Sequence, residues 1–214
     1  MTQNAKISFA LVFLLILGGI TFATTQSGPE STEAATDPKL VRDDSHMLSD
    51  SGNDKVQLVE FLDFECEACG AQFPIMEQIR SEYGDQIDFA VRYFPLSAHA
   101  NAQNAAVAVE AASRQGSFEE MYKKMYETQG EWAESQDSKE DVFVGFADEL
   151  GLDLKQFRKD VADPAVGERV AKDQADGVGL GVQGTPTIFL NGEELPSMPS
   201  YDLLKERIDS LLDS

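Results

Sequence analysis

Val56-Gln57-Leu58-Val59-Glu60-Phe61-Leu62-Asp63-Phe64-Glu65-Cys66-Glu67-Ala68-Cys69 decides how this chain is read. Val56 to Phe64 is apolar at both parities, the pattern of a strand buried on both faces. Just beyond it stand two cysteines with two residues between them, the only cysteines in 214 residues. Ala71 to Tyr83 then has helical periodicity, which places Cys66 at the first turn of a helix. Unpaired N–H groups and the helix dipole favour a negative sulfur there. A thiol whose pKa is lowered in this way is a nucleophile rather than an inert core group.

Working outward, Ile87 to Phe94 forms a second strand candidate, with Ile87, Phe89, Val91 and Tyr93 in alternation. Together with the intervening helix this makes a βαβ unit, for which a right-handed crossover is the rule. A helical block follows, about residues 97–163. Asn101 to Ser113 is alanine-rich, and Ser117 with Glu120 forms a capping box ahead of the stripe Phe118, Met121, Tyr122, Met125 and Tyr126. Ser138 with Asp141 opens another helix that Gly151 ends. Asp153 caps a short segment, and Asp163-Pro164 is a cap followed by proline at the first helical position. Thr187 to Leu190 reads as a strand. Asn191-Gly192 is a hairpin signal, so Glu193 to Leu195 should pair back antiparallel. Ser200 caps a last amphipathic helix. The expected order is strand, helix, strand, helical block, strand, strand, helix.

Composition narrows the function. Net charge is −21, from 38 acidic and 17 basic residues, which argues against nucleic acid or anionic lipid as a partner. Two histidines, His46 and His99, argue against a His-rich metal site, and no acidic run has the spacing of a calcium loop. No metal or bound cofactor is expected. Residues 1–23 read as a targeting segment: a short polar start with Lys6, then the uncharged apolar run Ile7 to Ala23, near the lower limit for a bilayer span. A retained anchor is expected, and a cleaved signal ending at Thr21-Phe22-Ala23 is the alternative. Both put the remainder in an oxidising compartment. Residues 24–54 are polar and read as a disordered tether, so the folded domain, 55–214, is expected to start near Lys55.

Two cysteines on a first helical turn can close a small disulfide that exchanges with others. Cys66 is the expected nucleophile and Cys69 the thiol that resolves the mixed disulfide. Half a zinc site and a purely structural bridge are the alternatives; zinc lacks a second cysteine pair, and a bridge over two residues adds little loop-closure entropy. Glu60 shares its strand parity with Val56, Leu58 and Leu62. Burial there should raise its pKa and make it a proton relay for Cys69, against the alternative of a strand-end carboxylate reaching solvent. His99 follows the second strand and is expected in a surface or cap role, with a place near the active site as the alternative. Trp132 and the Met121/Met125 stripe are expected in the core, the alternatives being a groove lining for Trp132 and an apolar peptide surface for the methionines.

With Gly184-Thr185-Pro186-Thr187-Ile188-Phe189 near the other end, Phe61 to Cys69 resembles the DsbA-like branch of the thioredoxin superfamily. The resemblance runs from about Lys55 to the C-terminus and implies an α/β thioredoxin-like fold with an inserted helical subdomain. It implies a cis Pro186 beside the cysteine pair, with Thr185 offering backbone groups to a bound peptide. It also matches an acidic position six residues before the nucleophile, Glu60. The anchor and polar tether resemble membrane-attached members of Gram-positive bacteria. Glu67 and Ala68, between the cysteines, are the expected tuning positions. Strong oxidants of this branch often carry proline or histidine there, and Glu67 departs from that.

The expected function is extracytoplasmic protein thiol–disulfide exchange, introducing disulfides into exported proteins, with a redox partner that resets Cys66–Cys69. A reductase or isomerase of the same fold, and a non-enzymatic anchored domain with a structural disulfide, are the alternatives.

Overall fold

The computed structural model describes residues 37–214. The apolar run Ile7 to Ala23 therefore lies outside the described residues, as does the first part of the polar stretch. Among the described residues no helix is long and apolar enough to cross a membrane.

Five strands form one sheet in the order β1-β3-β2-β4-β5. They are β1 (His46–Ser49), β2 (Gln57–Leu62), β3 (Asp88–Tyr93), β4 (Thr187–Leu190) and β5 (Glu193–Glu194). β2 and β3 run parallel, joined by helix α1 (Glu67–Tyr83); the other pairings are antiparallel. β2 and β3 are central and almost wholly buried, as their apolar content at both parities dictates. Asn191 and Gly192 both take positive φ, 46° and 84°, and turn β4 into β5.

Between β3 and β4 lie α2 (Ala102–Ser113), α3 (Phe118–Glu127), the single turn α4 (Gln129–Trp132), α5 (Glu140–Glu149), α6 (Leu154–Val161) and α7 (Pro164–Gly179). α8 (Tyr201–Leu212) packs beside α1. The caps at Asp153, Asp163 and Ser200 form as read, each accepting a backbone N–H. Two do not. Ser117 makes no side-chain cap bond, and α5 starts after Lys139, with the Ser138 hydroxyl only 3.4 Å from the Glu140 N–H. Met121, Met125 and Trp132 are buried; Trp132 packs edge-on against Phe143 and donates to the Met125 carbonyl.

The tether reading fails for its C-terminal part. Within that polar stretch β1 pairs antiparallel with β3, His46 opposite Val91 and Met47 opposite Ala90. The His46 ring stacks on Phe118 at 3.9 Å and bonds Glu110 at 2.6 Å, and Leu48 is buried. Upstream, the carbonyls of Lys39 and Leu40 accept from Arg92 at 2.9 and 2.5 Å. The order of this segment comes from partners distant in sequence, not from apolar content of its own.

Candidate active site

The site sits where β2 gives way to α1. Cys66 is the N-cap residue of α1, with extended backbone, and is 8% exposed. Its amide donates to the Asp63 carbonyl at 3.1 Å, and its own carbonyl accepts the Gly70 N–H at 3.0 Å. Neither cysteine is in a disulfide, and Cys69 is buried one turn along the helix.

The Cys66 thiol donates to the Thr185 carbonyl at 3.4 Å, so the loop before β4 lies against the sulfur. The Thr185–Pro186 bond is cis, as the resemblance implies. As a thiolate, Cys66 is held chiefly by the Cys69 S–H. Burial opposes that, and the Thr185 side chain and the N–H groups of Cys69 and Ala68 support it; the balance brings its pKa down to about 5. In the thiol form the buried Thr185 hydroxyl has no hydrogen-bond partner among the described residues, which leaves it available to donate to the thiolate. Cys69 moves the opposite way. Burial raises its pKa well above the ordinary thiol value, and its bond to Cys66 and the charge of Glu60 add to that. One sulfur is thus poised to be an anion and its neighbour to remain a thiol.

Glu60 is 2% exposed, in the middle of β2 between Val91 and Ile188 of the flanking strands. Burial, assisted by the charge of Glu77, lifts its pKa to about 8. It is therefore mostly protonated at neutral pH, and the alternative of a carboxylate reaching solvent does not hold. Glu67 is exposed at the first position of α1. With Cys66, Ala68, His99, Glu65 and Glu134 it lines a shallow groove of about 360 Å³.

His99 belongs to the site. Its Nδ1 bonds Asp63 Oδ2 at 2.7 Å, and it faces the groove beside Cys66. Burial works against the imidazolium, but the bond and charge of Asp63 outweigh it and raise the His99 pKa. Buried Asp63 also accepts the N–H groups of Glu65 and Leu96, each at 2.9 Å, tying the β2–α1 turn to the loop after β3. An acid inside the apolar run, on the opposite strand parity from Glu60, was the available sequence signal for Asp63. Gln129 had no such signal. Its side-chain amide donates to the carbonyls of Phe64 and Cys66 at 2.8 and 2.9 Å. Gly70 is required for that approach, because a Cβ there would stand 2.0 Å from Gln129 Oε1.

Among the described residues, no group of three or more His, Cys, Asp or Glu side chains is placed to hold a metal ion. The arrangement can open and close a disulfide between Cys66 and Cys69, with proton traffic at Cys69.

Comparison with known proteins agrees with this geometry. A family model described as Thioredoxin matches residues 50–210. Among solved structures, a thioredoxin-like oxidoreductase from Silicibacter pomeroyi superposes with a TM-score of 0.69 at 22% identity, covering 81% of this chain and 95% of that one. Oxidised BdbD from Bacillus subtilis gives 0.68 at 21%, covering 79% and 94%. Wolbachia pipientis alpha-DsbA1 gives 0.71 at 17%, covering 81% and 94%. Curated sequence relatives include a Na(+)/H(+) antiporter NhaA from Herminiimonas arsenicoxydans, 32% identical over 201 residues, and NhaA 1 of Salinispora arenicola, 40% identical over 157. The alignments take in 90% and 72% of this chain but only 30% and 23% of those longer proteins. By its family match and its architecture, the chain belongs to the thioredoxin family and carries the DsbA-type fold with helices inserted between β3 and β4.

Proposed function

We propose that this protein is an extracytoplasmic thiol–disulfide oxidoreductase that introduces disulfides into exported proteins. The observation that carries the proposal is the opposed poise of the two sulfurs, Cys66 down to about 5 and Cys69 raised by burial. A low-pKa thiolate is a good leaving group, so a disulfide through Cys66 is readily passed to a client thiol. In the first step a client thiolate attacks Cys66 Sγ, the Cys66–Cys69 bond breaks, and Cys69 leaves with the electron pair and takes up a proton. A second client thiolate then attacks the client sulfur and expels Cys66 as its thiolate. The client gains a disulfide and the protein holds two reduced sulfurs, to be reoxidised by a separate redox partner.

In this reading Cys66 is the sulfur that exchanges with the client, attacked in the disulfide form and the nucleophile in the reverse direction, Cys69 is the second thiol, and Glu60 is the proton donor and acceptor for Cys69. Thr185 and Pro186 border the sulfur and receive the client backbone. Glu67 and Ala68, as the residues between the cysteines, set the potential. Ile7 to Ala23 holds the domain at the outer face of the cell membrane. No cofactor enters the exchange.

Cys69→Ala should accumulate mixed disulfides with client proteins, and Cys66→Ala almost none. Equilibration of the Cys66–Cys69 couple against glutathione then gives direction. A potential near that of strong oxidants supports disulfide introduction; one near thioredoxin's roughly −270 mV assigns a reductase instead. The reverse trapping pattern would remove Cys66 as the attacked sulfur.

A further inference from the structure

Leu58 and Leu62 share the β2 face of Glu60, and that face packs into one core with Cys69, Met76, Tyr122 and Tyr126. About three turns along α1 from Cys66 stands Glu77. Its Oε2 meets Arg80 at 3.1 Å and Lys123 at 3.9 Å, while its Oε1 is buried with no hydrogen-bond partner. The Tyr122 hydroxyl is a second buried group without a partner, and it senses the charges of both Glu60 and Glu77. Buried polar atoms are almost always partnered. Both orphans belong to residues within electrostatic reach of buried Glu60, and Tyr122 packs in the core that Glu60's strand face covers. On its outer side, Glu77, Arg80, Leu48, Ser49, Ser81 and Gly84 line an open hollow of about 550 Å³.

We propose that Glu77 is the solvent-side half of a two-carboxyl proton path with Glu60, serving Cys69 through the hollow beside Arg80. The proposal rests on the exchange reaction above. When the client thiolate attacks Cys66 and Cys69 leaves, protonated Glu60 gives its proton to the Cys69 sulfur. Glu60 is then recharged from solvent by way of Glu77. In the reverse direction the Cys69 thiol gives its proton to Glu60, its thiolate displaces the client, and the proton leaves by the same path. Glu77 does not touch the sulfurs and acts through Glu60, so it is a positioning residue. The groups facing the pair are Cys69 and Arg80 of α1 and Tyr122, Lys123 and Tyr126 of α3; Glu119 faces it through Arg80, which it meets at 2.7 Å. The charge of Glu77 supports a protonated Glu60.

The test uses the full chain with 13C-labelled glutamate carboxyls and single-turnover oxidation of a cysteine-containing peptide by the disulfide form. In the parent protein, oxidation should fall on an alkaline limb that follows the Glu60 titration. Glu77→Gln should move both the limb and the Glu60 midpoint down by about one pH unit and slow oxidation about tenfold at pH 7.5, with Glu77→Asp restoring most of it. Glu60→Gln should abolish the limb. An unchanged Glu60 midpoint in Glu77→Gln overturns the path, as does a lowered midpoint with unaltered oxidation. The carboxyl titration needs no client. A parent protein that oxidises no peptide at any pH, yet keeps the coupled titration, would sink the exchange reading and leave the Glu60–Glu77 coupling standing.

Discussion

Arg92 and Glu60 are buried ionisable residues on neighbouring strands of one sheet, and they are surrounded in opposite ways. Arg92 points to the side of Phe61, over whose ring its guanidinium lies at 5.5 Å. Its donors are taken up by Asp173 at 2.7 Å, Asp176 at 2.6 Å and the two backbone carbonyls of residues 39 and 40. Arg42 and Arg169 complete the charge balance on those aspartates. Glu60, on the other face, has no cation beside it among the described residues and lies within the electrostatic reach of another carboxylate, Glu77, and of two tyrosines, Tyr122 and Tyr126. A charge with every donor satisfied holds chain segments together. A carboxyl held protonated by burial and a like charge is set up to give and take a proton.

The largest effect should come from breaking the satisfied cluster. Arg92→Met leaves Asp173 and Asp176 without their central cation and should cost about 3–5 kcal/mol, read as a fall in the urea midpoint. The reactivity of Cys66 in the folded fraction should stay close to the parent's. A loss of under about 1 kcal/mol would mean Arg42 and Arg169 suffice, and the contrast between the two regions would weaken.

Next in size is the pH dependence of stability, best read in the disulfide form, where neither thiol titrates. The folded pKa of Glu60, about 8, exceeds its ordinary 4.5, so the folded state binds the extra proton between those values. Stability should therefore fall as pH rises from about 4.5 to 8, by on the order of 4 kcal/mol, and Glu60→Gln should flatten that fall. Asp176 has the opposite sign. Its folded pKa, near 2, lies below 3.8: burial opposes this, and Arg42 and Arg92 outweigh it. Its contribution is present above about pH 4 and lost as pH drops toward 2. In the reduced protein the lowered Cys66 pKa adds stability with rising pH between about 5 and 9 and offsets part of the Glu60 fall. Urea melts of both redox forms at pH 3, 5, 7 and 9 separate these contributions; a flat oxidised profile would remove the protonated Glu60.

The smallest shifts belong to the groove. Glu67→Gln removes a carboxylate near Cys66 and should lower its pKa and raise the potential. His99→Gln removes a cation and should do the reverse. A charge ~6 Å away in bulk-water dielectric gives about 0.7 kcal/mol, roughly half a pKa unit. Thiolate absorbance titrations at low and high salt measure both. Same-sign shifts would mean the two side chains act through structure rather than charge.

What could be read from the sequence follows the range of the interactions involved. The β2 strand, the cysteine pair, the Asn191-Gly192 turn and the caps at Asp153, Asp163 and Ser200 are set by residues within a few positions of one another, and they stand where the pattern put them. The solitary acid at Glu60 was legible because its apolar neighbours alternate with it. β1 was not, since a polar edge strand ordered by His46–Glu110 contacts and by the Arg92 cluster carries no pattern of its own. The Asp63–His99 bond and the Gln129 bridge join residues brought together only by the tertiary fold, and no spacing announces them.

The two rims of the sheet bear on how such a domain behaves when crowded. An open strand edge is a template on which another chain can add hydrogen bonds and begin an aggregate. Here β1 closes one rim with a register break between Met47 and Ser49, and β5 closes the other with only two residues, both glutamates. Neither rim offers a long, flat, neutral ladder, and the chain's net charge of −21 repels copies at longer range. In the proposed role, where the domain would meet unfolded clients with exposed strands of their own, such rims would keep it from joining the tangles around it.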